Sequence, residues 1–307
     1  MAYIKLMKKI FEGVGVALVT PFKDGEVDYP AIKKLIDLDI KNGAQAIIAL
    51  GTTGESVTIT EKERARILLT CKRAIAGRAK LIAGTGNNNF EVCKRNMQIA
   101  KKIGVDGVLV VTPYYNKTTQ KGLIQYYSEL SKFELPMIVY NVPSRTGLCV
   151  DLPTMKELLK NPFVFGIKES TADISRIIKL CALCKNKISV YSGEDALNYV
   201  FYSLGAQGAI SVTANCYPKE TTEIFNLAKK EQFYKALECQ QKLAKIDEAM
   251  FFETNPIPVK FYMSLMNLIS EETRPPLVEM SKKNKIKIKK LFDKTCRKQN
   301  FEQSSKF

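Results

Sequence analysis

Phe163-Val164-Phe165-Gly166-Ile167-Lys168-Glu169-Ser170-Thr171 is an apolar run that ends on a lysine, and Met137-Ile138-Val139-Tyr140, one helix-period segment earlier, ends in the same way on a tyrosine. Short continuous apolar runs read as strands buried on both faces, the pattern of a parallel sheet. Working outward, six more such runs lie at 13–19, 46–50, 80–83, 107–111, 188–191 and 208–211. Amphipathic stretches with helical period alternate with them at 29–42, 60–76, 90–103, 120–132, 152–159, 174–183, 196–204 and 218–229. Eight βα units predict a closed (β/α)8 barrel, the TIM-barrel architecture of an α/β protein. An open doubly wound sheet would more often carry a Gly-rich phosphate fingerprint after its first strand; here that place reads Val19-Thr20-Pro21-Phe22. After Lys229 the alternation stops, and 231–250, 257–269 and 279–296 read as helices. The expectation is a barrel over residues 1–230 with a C-terminal helical appendage over 231–307, its polar end, 299–307, frayed.

The chain has 307 residues, 46% of them hydrophobic, enough to bury one large core. No apolar run approaches the roughly 18 residues of a membrane-spanning helix. Residues 1–10 carry lysines but no apolar centre or small-residue cleavage site, so no signal peptide is expected and the reading is cytoplasmic. The fold pattern begins at Phe11, which makes Met7 an alternative start. Eight scattered cysteines read as free thiols in a reducing compartment. Cys181-Ala-Leu-Cys184 has no second pair and lies inside a helical stretch, which favours packing over zinc or redox chemistry. Histidine is absent, so any acid–base work falls to tyrosine, lysine, carboxylates or water. The net charge of +16 is mostly lysine spread over helices, densest at 282–290. It reads as solvated surface, and neither nucleic acid nor membrane is expected as a partner.

In a barrel of this kind, function gathers at the C-terminal strand ends. Those ends carry Gly51-Thr52-Thr53-Gly54-Glu55-Ser56, Gly84-Thr85-Gly86-Asn87, Thr112-Pro113-Tyr114-Tyr115-Asn116, Tyr140 followed by Arg145, Lys168, Ser192-Gly193-Glu194-Asp195 and, near the last end, Ile210. A lysine in an apolar frame loses hydration of its charged form and shifts toward the neutral amine, which attacks carbonyls to give a Schiff base. Alone, Lys168 would read better as a snorkelling lysine. Tyr140 beside it could pass protons, or be a satisfied core tyrosine. Arg145 could fork onto a substrate carboxylate, or be solvated. The GTTGES turn could hold a small anion on its N–H groups, or be a tight turn plus a cap. Taken together, these residues support a class I aldolase-like barrel acting on a small keto acid.

GTTGES, TPYYN, YNVPSRTG, GIKES, SGED and Asn255-Pro256-Ile257-Pro258-Val259-Lys260 together resemble the 4-hydroxy-tetrahydrodipicolinate (dihydrodipicolinate) synthase family, from about Phe11 to the final helices. The resemblance implies condensation of pyruvate with L-aspartate 4-semialdehyde and no metal or organic cofactor. It implies that Lys168 forms the pyruvate imine and that Thr53, with Thr52, holds the pyruvate carboxylate. Tyr140, Thr52 and Tyr115 would form a proton relay, with Tyr115 reaching in from a neighbouring subunit. Arg145 would bind the semialdehyde carboxylate, and Gly193 and Ile210 would line the site through their backbones. It further implies a homo-oligomer, a tetramer built as a dimer of dimers. Sugar-accepting pyruvate aldolases of the same superfamily are the rival reading; they generally lack an arginine at the place of Arg145. Two departures, Ala172 and the segment Thr273-Arg274-Pro275-Pro276, put loop shape and helix packing in question rather than the chemistry. The places where lysine-sensitive relatives carry two histidines and a glutamate read Glu61, Arg64 and Val92, so weak or absent inhibition by lysine is expected.

Overall fold

The computed structural model describes residues 7–304, with side chains described for 7–295. Eight strands form a closed barrel: β1 (Gly13–Ala17), β2 (Ala46–Ala49), β3 (Lys80–Gly84), β4 (Gly107–Val111), β5 (Met137–Asn141), β6 (Val164–Glu169), β7 (Ser189–Ser192) and β8 (Gly208–Ser211). Every strand pairs in parallel with its neighbours in sequence, and β1 closes on β8. Nearly all strand residues are buried, which explains why they read as continuous apolar runs rather than alternating ones.

The helices are α1 (Tyr29–Lys41), α2 (Glu61–Ile75), α3 (Phe90–Ile103), α4 (Gln120–Leu130), α5 (Pro143–Thr146), α6 (Leu152–Leu158), α7 (Ile174–Cys184), α8 (Asn198–Ser203), α9 (Pro218–Lys229), α10 (Phe233–Ala249), α11 (Ile257–Leu265) and α12 (Lys282–Ser304). Local chemistry sets many of their ends. Thr60 and Glu63 form a reciprocal capping box at the start of α2. Asn89 caps α3, and Gly104, at φ 73°, ends it.

The structure departs from the sequence-based expectations at a few places. Strand β6 continues past Ile167, because Lys168 and Glu169 still pair with Tyr140 and Asn141 on one side and Tyr191 and Ser192 on the other. The helix expected at 196–204 starts as a 3-10 turn, Asp195–Leu197, before α8. A two-stranded hairpin, Phe22–Lys23 with Glu26–Val27, turns at Asp24 and Gly25, both at positive φ. Its Asp-Gly signal went unread. Helix α12 runs to Ser304, past its expected end at 296, through a stretch rich in Lys, Gln and Arg, all good helix formers. The alternative start at Met7 concerns residues 1–6, which lie outside the described residues; of the frayed end expected over 299–307, residues 299–304 continue α12 instead, and 305–307 lie outside the described residues. We propose the boundary between barrel and appendage near residue 230, because α9 completes the last βα unit and α10 to α12 follow it.

Candidate active site

The β5–β6 register sets Tyr140 directly beside Lys168, and Tyr191 of β7 pairs with Lys168 from the other side. Lys168 is only 5% exposed, and its Nζ lies 4.4 Å from the centroid of the Tyr140 ring. Among the described residues no carboxylate forms an ion pair with it. The amine lies on a cavity of about 380 Å³ at the C-terminal strand ends. Ala17, Ile48, Leu109, Ile210 and Val212 supply apolar lining; the polar groups include Thr52, Thr53, Tyr140, Arg145, Lys168 and Ser170, with two carboxylates, Glu194 and Glu253, and Asn255.

Burial pushes the Tyr140 phenol up. Attraction to Lys168 and Arg145, with hydrogen bonds to Ser170 and Thr52, outweighs it and leaves the phenol below its ordinary value. A phenol made more acidic beside a buried amine is suited to give and take protons. Thr53 is buried, and its Oγ1 accepts a hydrogen bond from Asn255 Nδ2 at 3.0 Å. Arg145 sits on α5, whose helical turn was not foreseen. Its Nη2 donates to the Asn255 carbonyl at 3.1 Å, and the rest of its guanidinium makes no hydrogen bond with the described residues.

Gly193 meets the lysine at close range. A Cβ built there would lie 2.0 Å from Ser170 Oγ and 2.7 Å from Lys168 Cε, so only glycine leaves the lysine stem its present path. Ile210, on β8, is 1% exposed and closes the wall. Of the residues singled out from sequence, the chain thus brings together Thr52, Thr53, Tyr140, Arg145, Lys168, Gly193 and Ile210. It does not bring in Tyr115. That side chain is 92% exposed, and its backbone stands at φ 67°, a region that costs a non-glycine residue. A second cavity, of about 270 Å³, shares Thr52, Val142 and Arg145 with the first and is also lined by Tyr114.

Sequence reasoning assigned no role to Ser170, Glu194 or Asn255. Ser170 had a signal, a hydroxyl two residues after the lysine; its Oγ donates to the Gly193 carbonyl at 3.1 Å. Glu194 is held above the ordinary carboxylate range by burial and by Asp195, with Lys168 pulling the other way. Asn255 reaches Thr53 across 202 residues of sequence, which no local pattern announces.

The GTTGES turn resolves toward the structural reading for its second half. The N–H groups of Gly54, Glu55 and Ser56 are spent on the carbonyls of Gly51 and Thr52. Glu55 is buried and pairs with the fully buried Lys260 at 2.5 Å. At the places read for lysine sensitivity, Arg64 is buried and donates to the carbonyls of Gly84 and Ser56, while Glu61 pairs with Arg95. The seven cysteines with described side chains are free. Burial pushes the Cys181 and Cys184 thiols up to about 11 and 12, as expected of packed, unreactive sulfur.

Comparison with known proteins places this geometry. Residues 10–295 match the model of the dihydrodipicolinate synthetase family. The chain is 44% identical over 280 residues to a 4-hydroxy-tetrahydrodipicolinate synthase of Thermodesulfovibrio yellowstonii, covering 91% of this chain and 96% of that one. Its fold superposes on dihydrodipicolinate synthase from Aquifex aeolicus with a TM-score of 0.90 at 40% identity, covering 93% and 98% of the two chains. The Acinetobacter baumannii enzyme, solved in complex with pyruvate, gives 0.89 at 38% identity over 91% and 97%. By family model, sequence and structure alike, the chain belongs to the dihydrodipicolinate synthetase family.

Proposed function

We propose that this chain condenses pyruvate with L-aspartate 4-semialdehyde, a step of diaminopimelate and lysine biosynthesis, and that Lys168 carries the chemistry. The observation that carries the assignment of the lysine is the pairing of Lys168 and Tyr140 across β5 and β6, in a cavity with Arg145. The neutral amine attacks the pyruvate carbonyl, loses water and forms the imine. Thr53, with Thr52, holds the pyruvate carboxylate, and the bond from Asn255 fixes the Thr53 hydroxyl. Removal of a methyl proton gives the enamine, which attacks the aldehyde. Transimination by the substrate's own amine closes the ring and releases Lys168. Protons pass through Tyr140 and Thr52, which line the same cavity. Gly193 and Ile210 form the wall.

Arg145 binds the semialdehyde carboxylate through the part of its fork that Asn255 leaves unused. A charge-assisted contact of about 1.5–3 kcal/mol corresponds to roughly ten- to hundredfold in affinity. Arg145→Ala should therefore lower kcat/KM for the semialdehyde by about that factor while pyruvate imine formation stays within about threefold of wild type. Equal loss in both assays would move the arginine to a structural role and reopen the sugar-accepting alternative.

The exposure of Tyr115 supports a relay completed in trans, in a homo-oligomer that we propose to be a tetramer built as a dimer of dimers. Mixed oligomers of Tyr115→Phe and Lys168→Ala chains should recover activity that neither variant has alone, because one site then pairs an intact lysine with an intact tyrosine. Verified mixed oligomers without recovery would count against a shared site. Weak sensitivity to lysine belongs to the same reading. The buried Arg64 adds positive charge where the ligand is a cation, and Val92 offers it no carboxylate. Half-inhibition of the purified protein below roughly a millimolar lysine would overturn this part. No described helix is long and apolar enough to cross a membrane, and we propose a cytoplasmic location.

A further inference from the structure

One side of the cavity is built by Gly193 and Glu194, after β7, and by Ile210 and Val212, at and just beyond the end of β8. Two carboxylates are tied to these segments, Asp195 at 4% exposure and Asp247 of α10 at 3%. Among the described residues neither makes an ion pair. Asp195 Oδ2 accepts the N–H groups of Val212 at 2.8 Å and Thr213 at 2.9 Å, and its Oδ1 accepts Asn198 Nδ2 at 3.1 Å. Asp247 Oδ1 lies 2.7 Å from the Thr213 hydroxyl, and its Oδ2 accepts Gln240 Nε2 at 2.8 Å. Gln240 Nε2 also donates to the Asp195 carbonyl at 3.1 Å. Thr213 and Gln240 thus each bridge the two aspartates.

Two buried carboxylates without a cation do not both carry charge cheaply. Three N–H donors converge on the Asp195 oxygens, and none of them can accept a hydrogen bond in return. Asp247 meets only neutral side chains, and one of them, the Thr213 hydroxyl, accepts a hydrogen bond as readily as it donates one. We propose that Asp195 and Asp247 hold one proton between them, on Asp247, and that the protonated pair is a positioning device fixing the Gly193–Glu194 and Ile210–Val212 segments against Lys168. Burial, and then repulsion from Asp195, push Asp247 up to about 8. Glu194 adds to the repulsion from the same loop as Asp195, with Lys168 facing Glu194, and Tyr202 of α8 faces Asp195. Helices α9 and α12, also packed on α10, give neither carboxylate a described hydrogen bond or ion pair. An unfolded aspartate titrates near 3.9. The stability that Asp247 contributes is therefore fully present below about pH 4 and is lost as pH rises through about 8.

Asparagine at 247 imitates the neutral acid, since its amide group can donate to Thr213 Oγ1 while its carbonyl accepts from Gln240. Two measurements test the proposal on wild type, Asp247→Asn and Asp195→Ala: thermal melting across pH, and the rate of borohydride trapping of pyruvate. Relative to wild type, Asp247→Asn should gain about 5 °C or more in Tm between roughly pH 5 and pH 8. Its trapping rate near neutral pH should stay within about threefold of wild type. Asp195→Ala should trap pyruvate at least about tenfold more slowly, because the freed segments no longer hold the lysine. Should that variant not fold, Thr213→Val, which keeps the backbone N–H and removes the bridging hydroxyl, carries the same expectation. Melting curves of Asp247→Asn that run parallel to wild type at every pH overturn the shared proton. Wild-type trapping rates in Asp195→Ala, or in Thr213→Val, overturn the positioning role. The trapping arm rests on the imine chemistry proposed for Lys168, whereas the melting arm does not. Absence of trapping in wild type would count against that chemistry and leave the shared proton to be decided by melting.

Discussion

Treatment with pyruvate and borohydride is expected to leave a reduced adduct on Lys168 and on no other lysine, and Lys168→Ala is expected to lose turnover by on the order of 10⁴-fold or more. Selectivity is the sharper part of this result, because the chain is rich in lysine. Most lysines are exposed, and many of them sit on helices. Lys260 is buried more deeply than Lys168, at 0%, yet it is held in an ion pair with Glu55 and lies outside the cavity lining. Among the described lysines, Lys168 alone combines burial, freedom from an ion pair, a phenol ring at its side and a cavity in front of it. Peptide mapping by mass spectrometry locates the adduct. A modified peptide that does not contain residue 168, or no adduct at all, would sink the mechanism.

The barrel was legible because buried parallel strands leave no alternation to misread. The runs at 107–111 and 208–211 match β4 and β8 residue for residue, and the other strand boundaries moved by no more than two positions, whereas the helix expected at 257–269 ends four residues earlier and α12 spans 282–304 rather than 279–296. Much of the site was legible for a related reason: a barrel presents its strand ends on one face, so Tyr140, Lys168 and Gly193 could be placed together from strand order alone. Contacts made across the barrel were not. Asn255 on Thr53 and Asp247 beside Asp195 depend on how α10 and α11 settle against the barrel, and no local period encodes that. Lys168 itself reads as a strand-end residue but lies within the ladder, since hydrogen bonding to two neighbours carries β6 on to Glu169. The role proposed for Tyr115 rests on family resemblance, since its side chain is exposed and does not line the cavity.

Lys260→Met is expected to lower stability by about 3–5 kcal/mol, the usual cost of breaking a buried ion pair from one side. Lys260 and Glu55 are 0% and 4% exposed, and their side chains meet at 2.5 Å. Burial outweighs the attraction of Glu55 and Glu272 and brings the Lys260 ammonium down to about 8. The pair as a whole is thus no large source of stability, but either half left alone is a buried charge without its partner. Lys260 has other supports, the Glu272 carbonyl at 2.8 Å and the Phe22 ring at 4.1 Å. Glu55, once unpaired, keeps only the N–H of Arg274 at 3.0 Å. It also stands at φ 51° in the turn that carries Thr52 and Thr53, so relaxation there should disturb the hydroxyls that line the cavity as well as the fold. The double variant Glu55→Gln, Lys260→Met removes both charges and should recover at least about half of the loss. Denaturant melts of the two single variants and the double variant close the cycle. A double variant as unstable as the sum of the singles would show that the two residues act independently, and the link from the substrate turn to α11 would then have to be sought elsewhere.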